Sequence, residues 1–284
     1  MNISAALHQA SVMIQLSSDS ARRDADVLLC HVLQQPLSYL RTHPERELDA
    51  EHVDQFMTLV ARRVKGEPVA YLIGEREFWS LPLEVNSSTL IPRPETEVLV
   101  EELLERLPEN ESLSIVDLGT GSGAIALAIA KERPHWQITA TDASMAALRT
   151  AEKNARRLEL KNVTFEFGSW FAPLSEKVFH AIVSNPPYIA ASDPHLTQGD
   201  VRFEPASALV AGDDGLSDIR IIIDESRAHL HKNGWLLLEH GYDQAQVVRE
   251  LMIHAGFARV KTIHDLAGQE RVTVGCWHPD VIED

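Results

Sequence analysis

The chain has 284 residues, 44% of them hydrophobic, which allows one large or two moderate domains with a substantial core. Its formal net charge of −16 disfavours a broad phosphate-backbone footprint, which relies on Lys and Arg, and makes a basic protein the easier partner. Cys30 and Cys276 are the only cysteines and stand far apart, so neither a disulfide framework nor a cysteine metal site is expected.

Residues 1–75 read as helical. Ala25, Val27, Leu28, Leu29, Val32 and Leu33 fall at helical spacing after Asp19 and Ser20, which offer a cap. Val53, Phe56, Met57, Leu59 and Val60 make a second apolar face before Arg62, Arg63 and Lys65, a solvated helix end in the simplest reading. Gly66-Glu-Pro68 breaks that pattern. Over 76–92, Phe78, Trp79, Leu81, Leu83 and Val85 partly alternate around Pro82, which predicts a β-hairpin linker. After Arg93, with Glu95 or Glu97 as its expected ion partner, residues 95–107 read as a helix opened by proline and acids.

From Ser114 strands and helices alternate. Strands are expected at 114–118, 137–141, 163–167, 179–184, 235–239, 258–263 and 271–276, and helices at 124–131, 144–160, 217–231 and 243–255. Strands separated by helices imply an α/β, doubly wound, mostly parallel sheet, and the last two, lacking a helix between them, an antiparallel edge hairpin. The expected organisation is therefore a helical domain at 1–75, a hairpin linker at 76–92 and an α/β domain at 93–284.

Two stretches carry chemistry. Asp117-Leu-Gly-Thr-Gly-Ser-Gly123 lies between the first strand of that sheet and a helix, where Gly119, Gly121 and Gly123 permit a tight turn and close backbone approach by a ligand. The spacing departs from the dinucleotide Gly-x-Gly-x-x-Gly, and no Lys-Ser/Thr pair follows to make a phosphate-binding loop. Asp117 before the glycines would repel a pyrophosphate and suits a ligand with an ammonium group. Asp142, 19 residues after Gly123 and at the end of the next strand, can accept hydrogen bonds from both hydroxyls of a ribose. Acidic glycine loop, ribose clamp and open-sheet switch point together indicate S-adenosylmethionine. Trp170, after the third strand, is placed to border its adenine.

The second stretch is Asn185-Pro-Pro-Tyr188, directly after the strand at 179–184. Two prolines without N–H groups end the ladder and stiffen the exit. Asn185, biased toward extended backbone before proline, then holds out a carbonyl acceptor and an NH₂ donor, and Tyr188 adds an aromatic face. Asn185, Pro186, Pro187 and Tyr188 could thus grip a planar amide or amidine nitrogen, with the Asn185 and Pro186 carbonyls each accepting one N–H of the target. The 13 histidines show no metal-ligand spacing, so no metal is expected. No apolar run approaches 18 residues and the first residues do not resemble a leader, which predicts a soluble, cytoplasmic protein away from membranes.

With both motifs in view, the chain resembles class I methyltransferases acting on planar nitrogen. Arg76-Glu-Phe-Trp-Ser-Leu-Pro-Leu83, Leu90-Ile-Pro-Arg-Pro-Glu-Thr-Glu97 and Gly199-Asp-Val-Arg-Phe-Glu-Pro205 narrow this to the release factor glutamine methyltransferases, the PrmC/HemK family, and the likeness runs end to end. It implies a seven-stranded class I methyltransferase sheet behind a small helical domain that recognises substrate. It implies methylation of the amide nitrogen of glutamine in the Gly-Gly-Gln motif of class-1 peptide chain release factors, supporting translation termination, with S-adenosylmethionine as donor and S-adenosylhomocysteine as by-product. The family's cofactor contacts map to Gly119, Thr120, Gly121, Ser122, Gly123, Asp142, Trp170 and Asn185, and its substrate contacts to Asn185 through Tyr188. A monomer without direct nucleic-acid contact is expected. Two alternatives share the Asn-Pro-Pro-Tyr motif, a glutamine methyltransferase of a ribosomal protein and an adenine amine methyltransferase of nucleic acid, the latter needing a flipped base.

Overall fold

The computed structural model describes residues 1–278. The chain divides into two compact units, one of residues 1–75 with 194–203, the other of 76–193 with the residues from 204 onward. The last residues of the expected α/β region, 279–284, lie outside those described.

The first unit packs α1 (Ile3–Ile14), α2 (Ala21–Leu33), α3 (Leu37–Thr42), α4 (Ala50–Val64) and α5 (Val69–Ile73). Ile3, Leu7, Ile14, Leu28, Leu29 and Phe56 are buried in its core. Ser20 makes no capping hydrogen bond; its hydroxyl donates instead to Asp24 at 2.8 Å. The basic end of α4 departs from the solvated reading. Arg63 is 5% exposed, its Nε donating to Asp24 and its Nη1 to Asp200, each at 2.7 Å. A run of three cations looks solvated in sequence, but the pairing acids come from α2 and from 194–203, far along the chain. Arg62 and Lys65 stay at the surface, Arg62 pairing Glu67.

The second unit opens with a two-stranded hairpin, β1 (Glu75–Phe78) and β2 (Leu81–Glu84). Trp79 and Ser80 take φ of 51° and 56°, the left-handed pair of a tight two-residue hairpin turn. A 3₁₀ turn at Pro94–Thr96 leads into α6 (Glu97–Arg106). The α/β rotation follows through β3 (Ser114–Leu118), α7 (Ala124–Glu132), β4 (Gln137–Asp142), α8 (Met145–Arg157), β5 (Val163–Phe167) and β6 (Phe179–Ser184). Two 3₁₀ turns at Pro194–Thr197 and Val201–Phe203 lie in the segment shared with the first unit, and a third follows at Ala206–Ala208. The chain closes with α9 (Ser217–Ser226), β7 (Leu230–Glu239), α10 (Ala245–His254), β8 (Phe257–His264) and β9 (Glu270–Trp277). The expected helix over 217–231 stops early. Ala228 and Leu230 continue its apolar rhythm, but Leu230 pairs with Phe179 in the sheet, and Asn233 at φ 65° marks the irregularity that lets β7 start there.

The seven strands run β5-β4-β3-β6-β7-β9-β8. All pairs are parallel except β7–β9 and β8–β9, the antiparallel edge. The chain moves outward from β3 through β4 to β5, then returns to the other side of β3 with β6. Order therefore reverses between β3 and β6, whose carboxyl ends lie side by side with Leu118 opposite Ser184. Such a switch point is where open α/β sheets leave a ligand crevice. The two chemistry-bearing stretches are the loops that leave those two strands.

Candidate active site

The glycine turn is held from beneath. Gly119 and Thr120 N–H groups both donate to the Thr141 carbonyl on β4, at 2.9 Å each. Gly119, Gly121 and Gly123 take φ of 73°, 57° and 86°, which side chains adopt only under strain. A Cβ at Gly119 would stand 3.3 Å from the Trp170 ring, whereas one at Gly121 would meet nothing within 4 Å and project into open space. Gly121 sits on the wall of a cavity of about 230 Å³. Its N–H donates to Asp142 Oδ2 at 2.9 Å, and Ser144 N–H donates to Oδ1 at 2.7 Å. Burial raises the Asp142 carboxyl above its ordinary range, against the pull of those two N–H donors. Each oxygen keeps lone-pair capacity toward the cavity, as a carboxylate can accept about four hydrogen bonds.

Gly119, Thr120, Gly121, Ser122, Asp142, Trp170, Asn185 and Pro187 all line this one cavity. Asp117, Gly123, Pro186 and Tyr188 do not. Asp117 is fully buried, and its Oδ2 accepts from the Thr120 hydroxyl at 2.6 Å and from Ala126 N–H at 3.2 Å. It braces the turn between β3 and α7 rather than facing the cavity, and burial drives its carboxyl up to about 7. Gly123 serves as the N-cap residue of α7.

At the neighbouring strand end, Ser184 Oγ donates to Leu118 O at 2.7 Å and stitches β6 to β3 just below the loops. Asn185 Nδ2 donates to Thr96 Oγ1 at 3.1 Å. Tyr188 turns its ring into the apolar cluster under β6 and β7, with its hydroxyl 3.4 Å from Glu239 Oε1. Burial first, then the nearby Glu239 charge, raise that phenol well above its usual range. Glu239, at the end of β7, is itself buried and pushed up to about 7 by desolvation.

The cavity also takes residues that the motif reading left aside. Arg93 and Thr96 line it, from the segment before α6, as do Pro205, Ser207 and Ala208. Arg93 pairs with Glu204, not with Glu95 or Glu97, and the same carboxylate accepts Ile91 N–H at 2.9 Å. Glu97 instead accepts Trp79 N–H at 2.7 Å. Sequence partners two and four residues away looked sufficient for Arg93; the real one lies 111 positions on and is visible only in three dimensions. His240 bonds Thr273 Oγ1 and Gly241 O and takes no place in the cavity wall. Among the described residues no group of His, Cys, Asp and Glu is arranged to hold a metal ion, and no helix is long and apolar enough to cross a membrane.

Residues 5–74 match the PrmC N-terminal domain and residues 96–211 the methyltransferase small domain. A release factor glutamine methyltransferase of Pseudomonas aeruginosa is 55% identical over 92% of this chain and 94% of its own length. One from Escherichia coli K12 is 50% identical over 96% of this chain and 98% of its own. The fold is shared with a Pyrococcus furiosus methyltransferase, at a TM-score of 0.54 and 18% identity over 77% of this chain and 97% of that one. The chain belongs to the release factor glutamine methyltransferase family.

Proposed function

We propose that the chain methylates the side-chain amide nitrogen of the glutamine in the Gly-Gly-Gln motif of class-1 peptide chain release factors, with S-adenosylmethionine as donor. The observation that carries the reading is that Asn185 shares one cavity wall with Gly121 and Asp142. An amide-reading side chain is thereby set beside a glycine turn and a ribose-reading carboxylate. The helical unit is proposed to recognise the release factor, and the protein to work as a cytoplasmic monomer.

The residues fit the donor. Gly121 leaves space where any side chain would intrude, and Asp142 keeps acceptor capacity for two ribose hydroxyls. Gly119 through Ser122 would border the amino-acid part and Trp170 the base. When bound, S-adenosylmethionine supplies an electrophilic methyl group on its sulfonium. The amide nitrogen is a poor nucleophile because its lone pair is delocalised into the carbonyl. Asn185 Oδ1 and the Pro186 carbonyl would each accept one N–H of that amide and turn the lone pair toward the methyl group. Holding such geometry contributes several kcal/mol to lowering the barrier, and acceptors aimed at the developing positive charge add to it. The nitrogen then loses one proton, which is very acidic once the methyl is attached, so no strong general base is required. Tyr188, anchored toward Glu239, would fix the far end of the tetrapeptide.

The test incubates the protein with methyl-labelled donor and, separately, a release factor, a ribosomal protein and adenine-containing DNA, and locates the label by tandem mass spectrometry. Label on the Gly-Gly-Gln side-chain amide supports the reading. Label on another glutamine, on adenine, or nowhere overturns it.

A further inference from the structure

Besides the glycine turn and Asn185, the cavity has a wall made by two short segments far apart in sequence. Leu90, Pro92 and Arg93 come from just before the 3₁₀ turn at 94–96, and Pro205, Ser207 and Ala208 from the stretch that precedes α9. One carboxylate joins the two segments. The Glu204 side chain is fully buried, pairs with Arg93, and accepts Ile91 N–H at 2.9 Å.

This wall is poor in backbone donors. Pro92, Pro187 and Pro205 all line the cavity and have no N–H to give. A peptide segment that lies here to deliver a side chain brings one carbonyl with every residue. Each carbonyl buried without a donor costs about 1–3 kcal/mol. Where the wall is proline, the donors have to come from side chains.

Arg93 is built to supply them. Its guanidinium holds five N–H groups in a planar fork. Nη2 faces Glu204, the side chain makes no other hydrogen bond among the described residues, and it stays 33% exposed. Glu204 already balances its charge, and a second carboxylate would meet that negative charge close by. The remaining N–H groups therefore suit neutral acceptors such as peptide carbonyls. Arg93 lines the same cavity as Asn185, so its contacts fall on the chain that carries the gripped side chain.

We propose that Arg93 is a specificity-determining residue whose remaining N–H groups donate to main-chain carbonyls beside the target glutamine, with Glu204 holding the fork in place. Carbonyls within a helix or sheet ladder are already taken, so the contact selects a glutamine on an irregular loop. The proposal rests on the reading that Asn185 grips a glutamine amide, and extends recognition from that side chain to its backbone.

The experiment compares wild type, Arg93→Met, which keeps length and removes every N–H, and the double variant Arg93→Met with Glu204→Gln, which leaves no buried charge alone. Steady-state methylation of a release factor is measured beside calorimetric donor affinity and thermal unfolding. Arg93→Met is expected to raise KM for the release factor about tenfold or more, the size of one lost hydrogen bond to a charged donor. Its kcat and donor Kd should change less than about threefold, as for lost ground-state binding of substrate. The double variant should keep the raised KM. An unchanged KM in Arg93→Met overturns the proposal, and so does a donor Kd weakened as much as KM. Recovery of KM in the double variant also overturns it, because Arg93 would then matter only as the partner of Glu204. If Arg93→Met does not fold, the double variant decides by the same two readouts. Wild-type protein that places no methyl on glutamine fails the underlying reading and takes this proposal with it. Glutamine methylation by wild type with unchanged KM in the variants fails the proposal alone.

Discussion

The loops that leave β3 and β6 sit side by side at the same sheet edge, yet they are built in different ways. The turn at 119–123 is shaped by backbone: left-handed glycines, two N–H groups on the Thr141 carbonyl, and Asp142 receiving Gly121 and Ser144. The exit at 185–188 is shaped by side chains, with Asn185 backed by Thr96 and Tyr188 leaning toward Glu239. A backbone cradle suits a ligand that must always bind in one way, because its donors are fixed before the ligand arrives. A side-chain relay suits a group whose orientation decides whether reaction occurs. On the proposed function, the first region would set affinity for the donor and the second the rate of transfer.

That division can be broken from either side. Asn185→Ala is expected to lower single-turnover methylation by about 10²–10³-fold, the cost typical of losing one preorganised polar contact to a transition state, while donor affinity falls only slightly. Rapid-quench and calorimetric titration together check this; equal losses in both would merge the two regions into one. Asp142→Ala is expected to weaken donor binding about tenfold to a hundredfold, or about 1.4–2.7 kcal/mol, with the rate at saturating donor nearly kept. A loss confined to that saturated rate would show that the carboxylate does not read the ribose.

A pH measurement sharpens the view of the glycine turn. Burial raises the folded-state pKa of Asp117 to about 7, so between roughly pH 4 and 7 the folded chain holds a proton that the unfolded chain has released. Stability should therefore fall as pH rises through that window, by at most about 1.4 kcal/mol per pH unit from this group, and level off above it. In Asp117→Asn the part of the slope due to this carboxyl should vanish. Urea midpoints measured across the window test it, and an unchanged slope would mean that Asp117 stays ionised when buried. The smallest effect is expected for Gly121→Ala. It forces a side chain into a left-handed conformation at about 1 kcal/mol and sets a methyl in the cavity, so donor affinity should drop more than stability. A stability loss without a change in affinity would place Gly121 outside the donor's reach.

The architecture was legible because its signals are local. Glycine spacing, Asp142 at a strand end and the paired prolines after β6 each declare themselves within a few residues. The mostly parallel pairing follows from helices alternating with strands, and the antiparallel edge from the missing helix between the last two. What stayed hidden depends on pairs distant in sequence. Arg63 looked solvated because Asp24 and Asp200 lie 39 and 137 positions away. Arg93 had acids at hand, and Glu204 was chosen only by the fold. Thr96 and Glu239 carried no motif of their own; a threonine in a proline turn meets Asn185, and an acid ending a strand meets Tyr188, only once the fold brings the distant segments together. Asp117 shows the converse, since its position in the glycine motif suggested a ligand while its hydrogen bonds turn inward.

The separation of binding from orientation is tested most directly by a double-mutant cycle on Asp142→Ala and Asn185→Ala, reading both donor Kd and single-turnover rate. The account predicts that the two changes add within about 0.5 kcal/mol in each quantity, as independent sites do. A coupling well above 1 kcal/mol in either would contradict it, because the cradle and the relay would then be one machine.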